Sequence, residues 1–136
     1  MAYFEWTPQL DVGVESMNDQ HHRLIDLMNV LHERAASGAS RAELGGFLES
    51  LAEYTVRHFR AEESLMASIG YPELERHKRI HEELLRTFGE HRSAFDGGGE
   101  LGAGFFSFLK LWLSAHIKGI DRKYGAHTAA RAGHAA

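Results

Sequence analysis

His58 and Glu62 stand four residues apart, a spacing that turns two side chains only about 40° from each other around a helix axis. Both can then reach one metal ion. His77 and His81 repeat the spacing further along. Between the pairs lies Gly70-Tyr71-Pro72, a tight-turn signature that would fold two antiparallel helices together with the pairs at overlapping heights. One such pair alone is as readily a solvated helix face as a ligand set. Two pairs facing across a turn are a stronger signal, and their neighbours strengthen it. Leu51, Tyr54 and Leu65 share the His58/Glu62 face, while Leu74, Leu84, Leu85 and Phe88 share the His77/His81 face. Imidazoles and a carboxylate on these faces point into a core, where unpaired they would cost several kcal/mol. A metal removes that cost.

Two further segments offer ligands. His21 and His22 are adjacent and so about 100° apart on a helix, which lets at most one face inward. His21 runs in register with Leu24, Met28 and Leu31; His22 runs with Asp26, Asn29 and Glu33. The register selects His21. His116 follows Trp112 by one turn and is in phase with Leu109. Asp121 comes five residues later, and the two can face one metal only if the helix unwinds or bulges, for which Gly119 provides a place. His32, His91, His127 and His134 lie near helix ends or in the tail and read as solvent-exposed.

Four helices must position these residues. Residues 1–15 read as an extended arm anchored by Phe4, Trp6 and Leu10 and kept from helix by Pro8 and Gly13. Ser16 with Asp19 is a capping-box pattern opening a helix to about Ala36; Ser40 with Glu43 opens a second to about Ser68. Gly70 closes the second, and Pro72 starts a third that runs to about Phe95. Beyond Gly97-Gly98-Gly99 a fourth spans roughly 100–119, and 125–136 reads as a frayed tail outside a domain of residues 1–124. The expected fold is all-α, an antiparallel up-down-up-down four-helix bundle with an N-terminal arm.

The bulk composition narrows the function classes. The 136 residues fit one domain, and 43% hydrophobic with 25% charged is the balance of a globular protein. A net charge of −4 disfavours nucleic acid and anionic membrane surfaces as partners. No cysteine is present, which excludes disulfides, thiolate sites and iron–sulfur clusters. Residues 1–10 lack the basic and apolar regions of a signal peptide, and the apolar run at 105–117 is too short to span a bilayer. A soluble cytoplasmic protein is the expectation.

Five histidines and two carboxylates thus converge from four helices. If both carboxylates bridge two octahedral metals, together with one oxygen from water, the pair is one ligand short. That vacancy suits a small molecule such as dioxygen. Imidazole alone also accepts zinc, copper and nickel, so the case for iron rests on the bridging carboxylates.

The stretches DQHHRLIDLMN (19–29), HFRAEESLM (58–66), YPELERHKRIH (71–81) and WLSAHIKGIDRKY (112–124) resemble the bacterial hemerythrins, in the right order and spacing. The resemblance implies two iron ions with an oxo or hydroxo bridge. One would be held by His77, His81 and His116, the other by His21 and His58, with Glu62 and Asp121 bridging. The vacancy would fall on the second iron, where dioxygen binds reversibly for carriage, storage or delivery. Trp112, Leu24, Met28 and Leu113 are the candidate lining of that pocket. A di-iron enzyme (oxidase, peroxidase or nitric-oxide handling) and an oxygen sensor acting through a partner are the alternatives. Tyr54, a turn before His58, is the polar neighbour that keeps the enzyme reading open.

Overall fold

The computed structural model describes residues 3–135, with side chains as far as residue 130. Four antiparallel helices form an up-down-up-down bundle, and the described residues contain no strand. Helix α1 covers Glu15–Ala36, α2 Arg41–Ser68, α3 Leu74–Asp96 and α4 Ala103–His116. A π-helical turn, Ile117–Asp121, continues α4 into α5, Arg122–Ala135. None of these helices is long and apolar enough to cross a membrane.

Each helix buries one stripe. On α1 it is Met17, His21, Leu24, Ile25, Met28 and Leu31; on α2 it runs from Leu44 through Leu51, His58 and Glu62 to Met66. These recur at the three- and four-residue intervals of an amphipathic helix, so the candidate ligands and the apolar core lie on the same faces.

The ends of α2 follow the expected chemistry. The Glu43 N–H donates to Ser40 Oγ at 3.2 Å, and Ser40 Oγ in turn donates to Glu43 Oε1 at 3.3 Å. At the other end Gly70 adopts φ +65°, and the Tyr71 N–H reaches back to the Met66 carbonyl at 2.9 Å. Only glycine enters that left-handed region without strain, and it lets the chain reverse into α3.

Three boundaries differ from the sequence reading, the smallest at α3, which begins at Leu74 and leaves Pro72 in the preceding turn. Ser16 does not cap α1, which begins at Glu15 after Val14 with no side-chain cap. The entry is fixed instead from outside the helix: Asn18 Oδ1 accepts from the Val12 N–H, and Asn18 Nδ2 donates to Asp11 Oδ1. The fourth helix starts at Ala103 and does not stop near Gly119. Its continuation carries Gly125 against the Val12 backbone of the arm and buries Tyr124 beside Glu62, and this packing sustains helix where composition alone suggested none.

The arm is pinned along α1. The Phe4 N–H donates to Asn29 Oδ1 and Asn29 Nδ2 donates to the Phe4 carbonyl, both at 2.8 Å. Tyr3 stacks on His32 at 4.1 Å and Trp6 on His22 at 3.9 Å. His32 is therefore half-buried, as are His91, stacked on Phe108, and His127, which approaches the Ile69 carbonyl. The expectation that these three are free in solvent is corrected by those contacts; the His134 side chain lies outside the described residues.

Candidate metal centre

His21, His58, Glu62, His77, His81, His116 and Asp121 meet in the middle of the bundle, each at most 6% exposed. The π-helical turn accounts for the last two. Hydrogen bonding from i to i+5 widens the helix so that residues five apart align. His116 Nε2 accordingly lies 3.0 Å from Asp121 Oδ1. On α1, His21 is fully buried, while His22 sits on the outer face against Trp6.

The two carboxylates each span two sets of imidazoles. Glu62 Oε1 lies 3.2 Å from His58 Nε2 and 3.3 Å from His81 Nε2, and Glu62 Oε2 is 3.6 Å from His21 Nε2. Asp121 Oδ1 faces His77 Nε2 at 3.1 Å as well as His116, and Asp121 Oδ2 faces His21 Nε2 at 3.1 Å. The donor atoms fall into two overlapping groups. Glu62, His77, His81, His116 and Asp121 make one; His21, His58, Glu62 and Asp121 make the other. Glu62 and Asp121 belong to both.

These atoms are close, yet they do not satisfy one another. Nε2 of His21, His77, His81 and His116, Oε1 of Glu62 and both oxygens of Asp121 are buried without a hydrogen bond of acceptable geometry. Each such group would cost roughly 1–3 kcal/mol if left so. So many orphaned lone pairs aimed at shared points are what a pair of cations would satisfy. Two carboxylates shared between the groups, with a histidine majority, would form a donor set suited to iron.

Without metal, protons balance the charge. Burial pulls the His21 imidazole down, but the Asp121 and Glu62 carboxylates more than reverse this and hold it up at about 9. His116 is raised in the same way, burial opposing and Asp121 prevailing. Burial pushes Glu62 up, yet His58, His21 and His81 hold it well below the usual carboxylate range. Asp121 is likewise held down, burial and Glu62 opposing, His116 and His21 prevailing.

A ring of supporting residues surrounds the candidate ligands, and four of them, Tyr124, Gln20, Glu63 and Phe59, were not singled out in the sequence reading. Tyr124 is fully buried and its hydroxyl donates to Glu62 Oε2 at 2.6 Å. Burial, reinforced by the Glu62 and Asp121 charges, pushes this phenol far above its ordinary value, so it stays a donor. His58 Nδ1 lies 2.6 Å from Gln20 Oε1, and His81 Nδ1 lies 2.9 Å from Glu63 Oε2. Phe59 stacks on the His81 ring at 3.7 Å and meets Trp112 edge-on at 6.0 Å. Trp112 thus approaches the cluster through Phe59, and its indole N–H is buried without a partner. Helical register singles out none of these four, although all of them fall inside the stretches that carry the resemblance. Leu24, Met28 and Leu113 are buried core residues. Tyr54 is half-buried, and its phenol is raised first by burial, with Arg23, Arg57 and Asp19 as its charged neighbours. A crevice of about 10 Å³ bounded by Tyr71, Glu73 and Lys123 reaches His77.

The fold and the cluster together define a four-helix protein built around a buried binuclear metal centre. The chain belongs to the hemerythrin family, whose members bind dioxygen at a di-iron centre. Residues 12–127 match the hemerythrin HHE cation binding domain. The bacteriohemerythrin of Stenotrophomonas maltophilia (strain R551-3) is 36% identical over 124 residues, covering 91% of this chain and 80% of the relative. That of Methylococcus capsulatus (Bath) is 35% identical over 127 residues, covering 92% and 96%. A crystal structure of wild-type hemerythrin superimposes with a TM-score of 0.85 at 34% identity, over 92% of this chain and 97% of that one.

Proposed function

We propose that this chain binds dioxygen reversibly, for carriage, storage or delivery, at two iron ions. His77, His81 and His116 would hold one ion and His21 and His58 the other, with Glu62 and Asp121 available to both. The observation that carries the reading is the pair of overlapping donor groups sharing both carboxylates. The group containing His21 and His58 has one donor fewer than the other, so the vacant position belongs there.

Iron, when bound, supplies the reversible electron exchange that dioxygen binding requires. The chain's own residues do the rest. Two carboxylates, with the hydroxide bridge that the family resemblance implies, would leave a loaded site with neutral imidazoles close to charge balance, which a dry core tolerates better than bare dications. Leu24, Met28, Leu113 and Trp112, all buried, are the proposed lining that would keep water and anions from the vacant side, with Trp112 reaching the cluster through Phe59. Tyr124 holds Glu62 in its bridging pose through the 2.6 Å bond and does not release its proton. The enzyme reading needs a titratable group that delivers protons to the centre. Tyr54, the candidate for that role, has its charged neighbours among Arg23, Arg57 and Asp19 and makes none of the hydrogen bonds to the ligands. This favours carriage.

The test is anaerobic loading with ferrous iron, an iron count per chain, and an optical spectrum before and after admitting oxygen. About two irons per chain and a spectrum that reverses when oxygen is removed are expected. Saturation near one iron sinks the binuclear site, and sustained oxygen consumption in the presence of a reductant replaces carriage with an enzymatic role.

A further inference from the structure

The two donor groups differ in what stands behind their histidines. His81 belongs to the group with His77 and His116, and its Nδ1 lies 2.9 Å from the Glu63 carboxylate. His58 belongs to the group with His21, and its Nδ1 lies 2.6 Å from the Gln20 amide oxygen. A carboxylate only accepts, so Nδ1 of His81 carries the proton and Nε2 keeps its lone pair for a metal. The same tautomer follows for His58 with the Gln20 oxygen as acceptor. Both rings are thus oriented alike, but one leans on a negative charge and the other on a neutral dipole. One further ring in each group, His21 and His77, has its Nδ1 buried without a hydrogen-bond partner, so these two do not even out the difference.

An imidazole whose N–H donates to a carboxylate is a more basic ligand than one donating to an amide. Its electron density moves toward the metal, which favours the cation and favours its higher oxidation state. Glu63 is the near neighbour of the bridging Glu62 in sequence, yet its side chain is 26% exposed on the outside of the bundle. It adds its charge to one metal position from behind without taking up a coordination site.

We propose that Glu63 and Gln20 are positioning residues that make the two metal sites unequal: the carboxylate strengthens the site of His77, His81 and His116, and the amide leaves the site of His21 and His58 weaker. The second ion is then the more weakly held and the more electron-poor of the two, on the side where the vacant position lies. This rests on the binuclear reading above and adds which residues set the order of filling.

The experiment titrates metal-free protein with Co²⁺, whose visible absorption reports its ligand geometry, and compares wild type with Glu63→Gln and Gln20→Glu. Both substitutions keep an oxygen acceptor of the same length, so orientation is retained and only charge changes. Two Co²⁺ ions should bind wild type in distinct steps. In Glu63→Gln the tighter step should weaken about 10- to 100-fold, the range seen for residues behind metal ligands, while the weaker step moves little. In Gln20→Glu the weaker step should tighten, narrowing the gap from the other side. A side chain with a merely structural role would move both steps together or neither. Both constants of either folded variant within twofold of wild type, or equal losses at both steps, overturn the inference while leaving the binuclear site standing. Fewer than two Co²⁺ bound by wild type overturns that site and this inference with it.

Discussion

Replacing Gly125 with alanine tests whether the helix beyond Asp121 is part of the architecture that holds the centre. A Cβ built on Gly125 would lie 2.9 Å from the Val12 carbonyl carbon and 3.6 Å from its Cα, and the carbonyl oxygen is nearer still. Every one of these atoms is backbone, so no side chain can swing aside. Either the arm or α5 must move, and both are tied down. Val12 is held by its N–H bond to Asn18 Oδ1, and α5 begins one residue after Asp121 and carries Tyr124, the donor to Glu62. Overpacking of this kind costs about 1–3 kcal/mol. In a domain of this size that lowers the melting temperature on the order of 5–10 °C. Because the displaced helix directly follows Asp121 and carries Tyr124, metal retention should fall together with stability. Thermal melts of metal-free and iron-loaded protein, with iron counted after dialysis, measure both. A Gly125→Ala protein that melts with wild type and keeps its iron would refute the reasoning. It would mean that α5 is dispensable trim and that the close approach to Val12 does not exist in solution.

His21→Ala should lose iron and His22→Ala should keep it, since one ring faces Asp121 and the other stacks on Trp6; the reverse iron contents would show the helical phase of α1 to be off by one. The metal-free protein should lose stability as pH rises from about 6.5 to 9. His21 carries a proton held up at about 9 in the fold, so its contribution is complete below its unfolded value and disappears through the folded one, on the order of 3 kcal/mol. Metal affinity should rise over the same window because the ion displaces that proton, and a metal-free melting temperature flat across this range in buffered urea melts would contradict both statements. Trp112→Ala should cost about 3–5 kcal/mol for a buried aromatic truncated to alanine. Assayed well below its melting transition, it should keep its iron, oxidise faster in air and bind azide more tightly in the oxidised form; an unchanged oxidation rate would reduce Trp112 to packing.

Much of this protein was already fixed by its residues in order. Helical spacing set polar ligands on apolar faces, so His58 with Glu62 and His77 with His81 declared themselves before any coordinates, and register separated His21 from His22. Even the distortion between His116 and Asp121 follows from arithmetic, since residues five apart cannot share a face of a regular α-helix, and a π-helical turn is what the chain adopts. These are local rules, and local rules are readable in one dimension. Tertiary structure decided what depends on elements distant in sequence. Tyr124 meets Glu62 across 62 positions and Gln20 meets His58 across 38, pairings that no periodicity encodes. The same holds for Gly125, whose composition suggested a loose end and whose absent side chain instead admits the Val12 backbone. A glycine is read as freedom from its own sequence neighbourhood. Whether it is freedom or a close contact depends on what the fold brings against it.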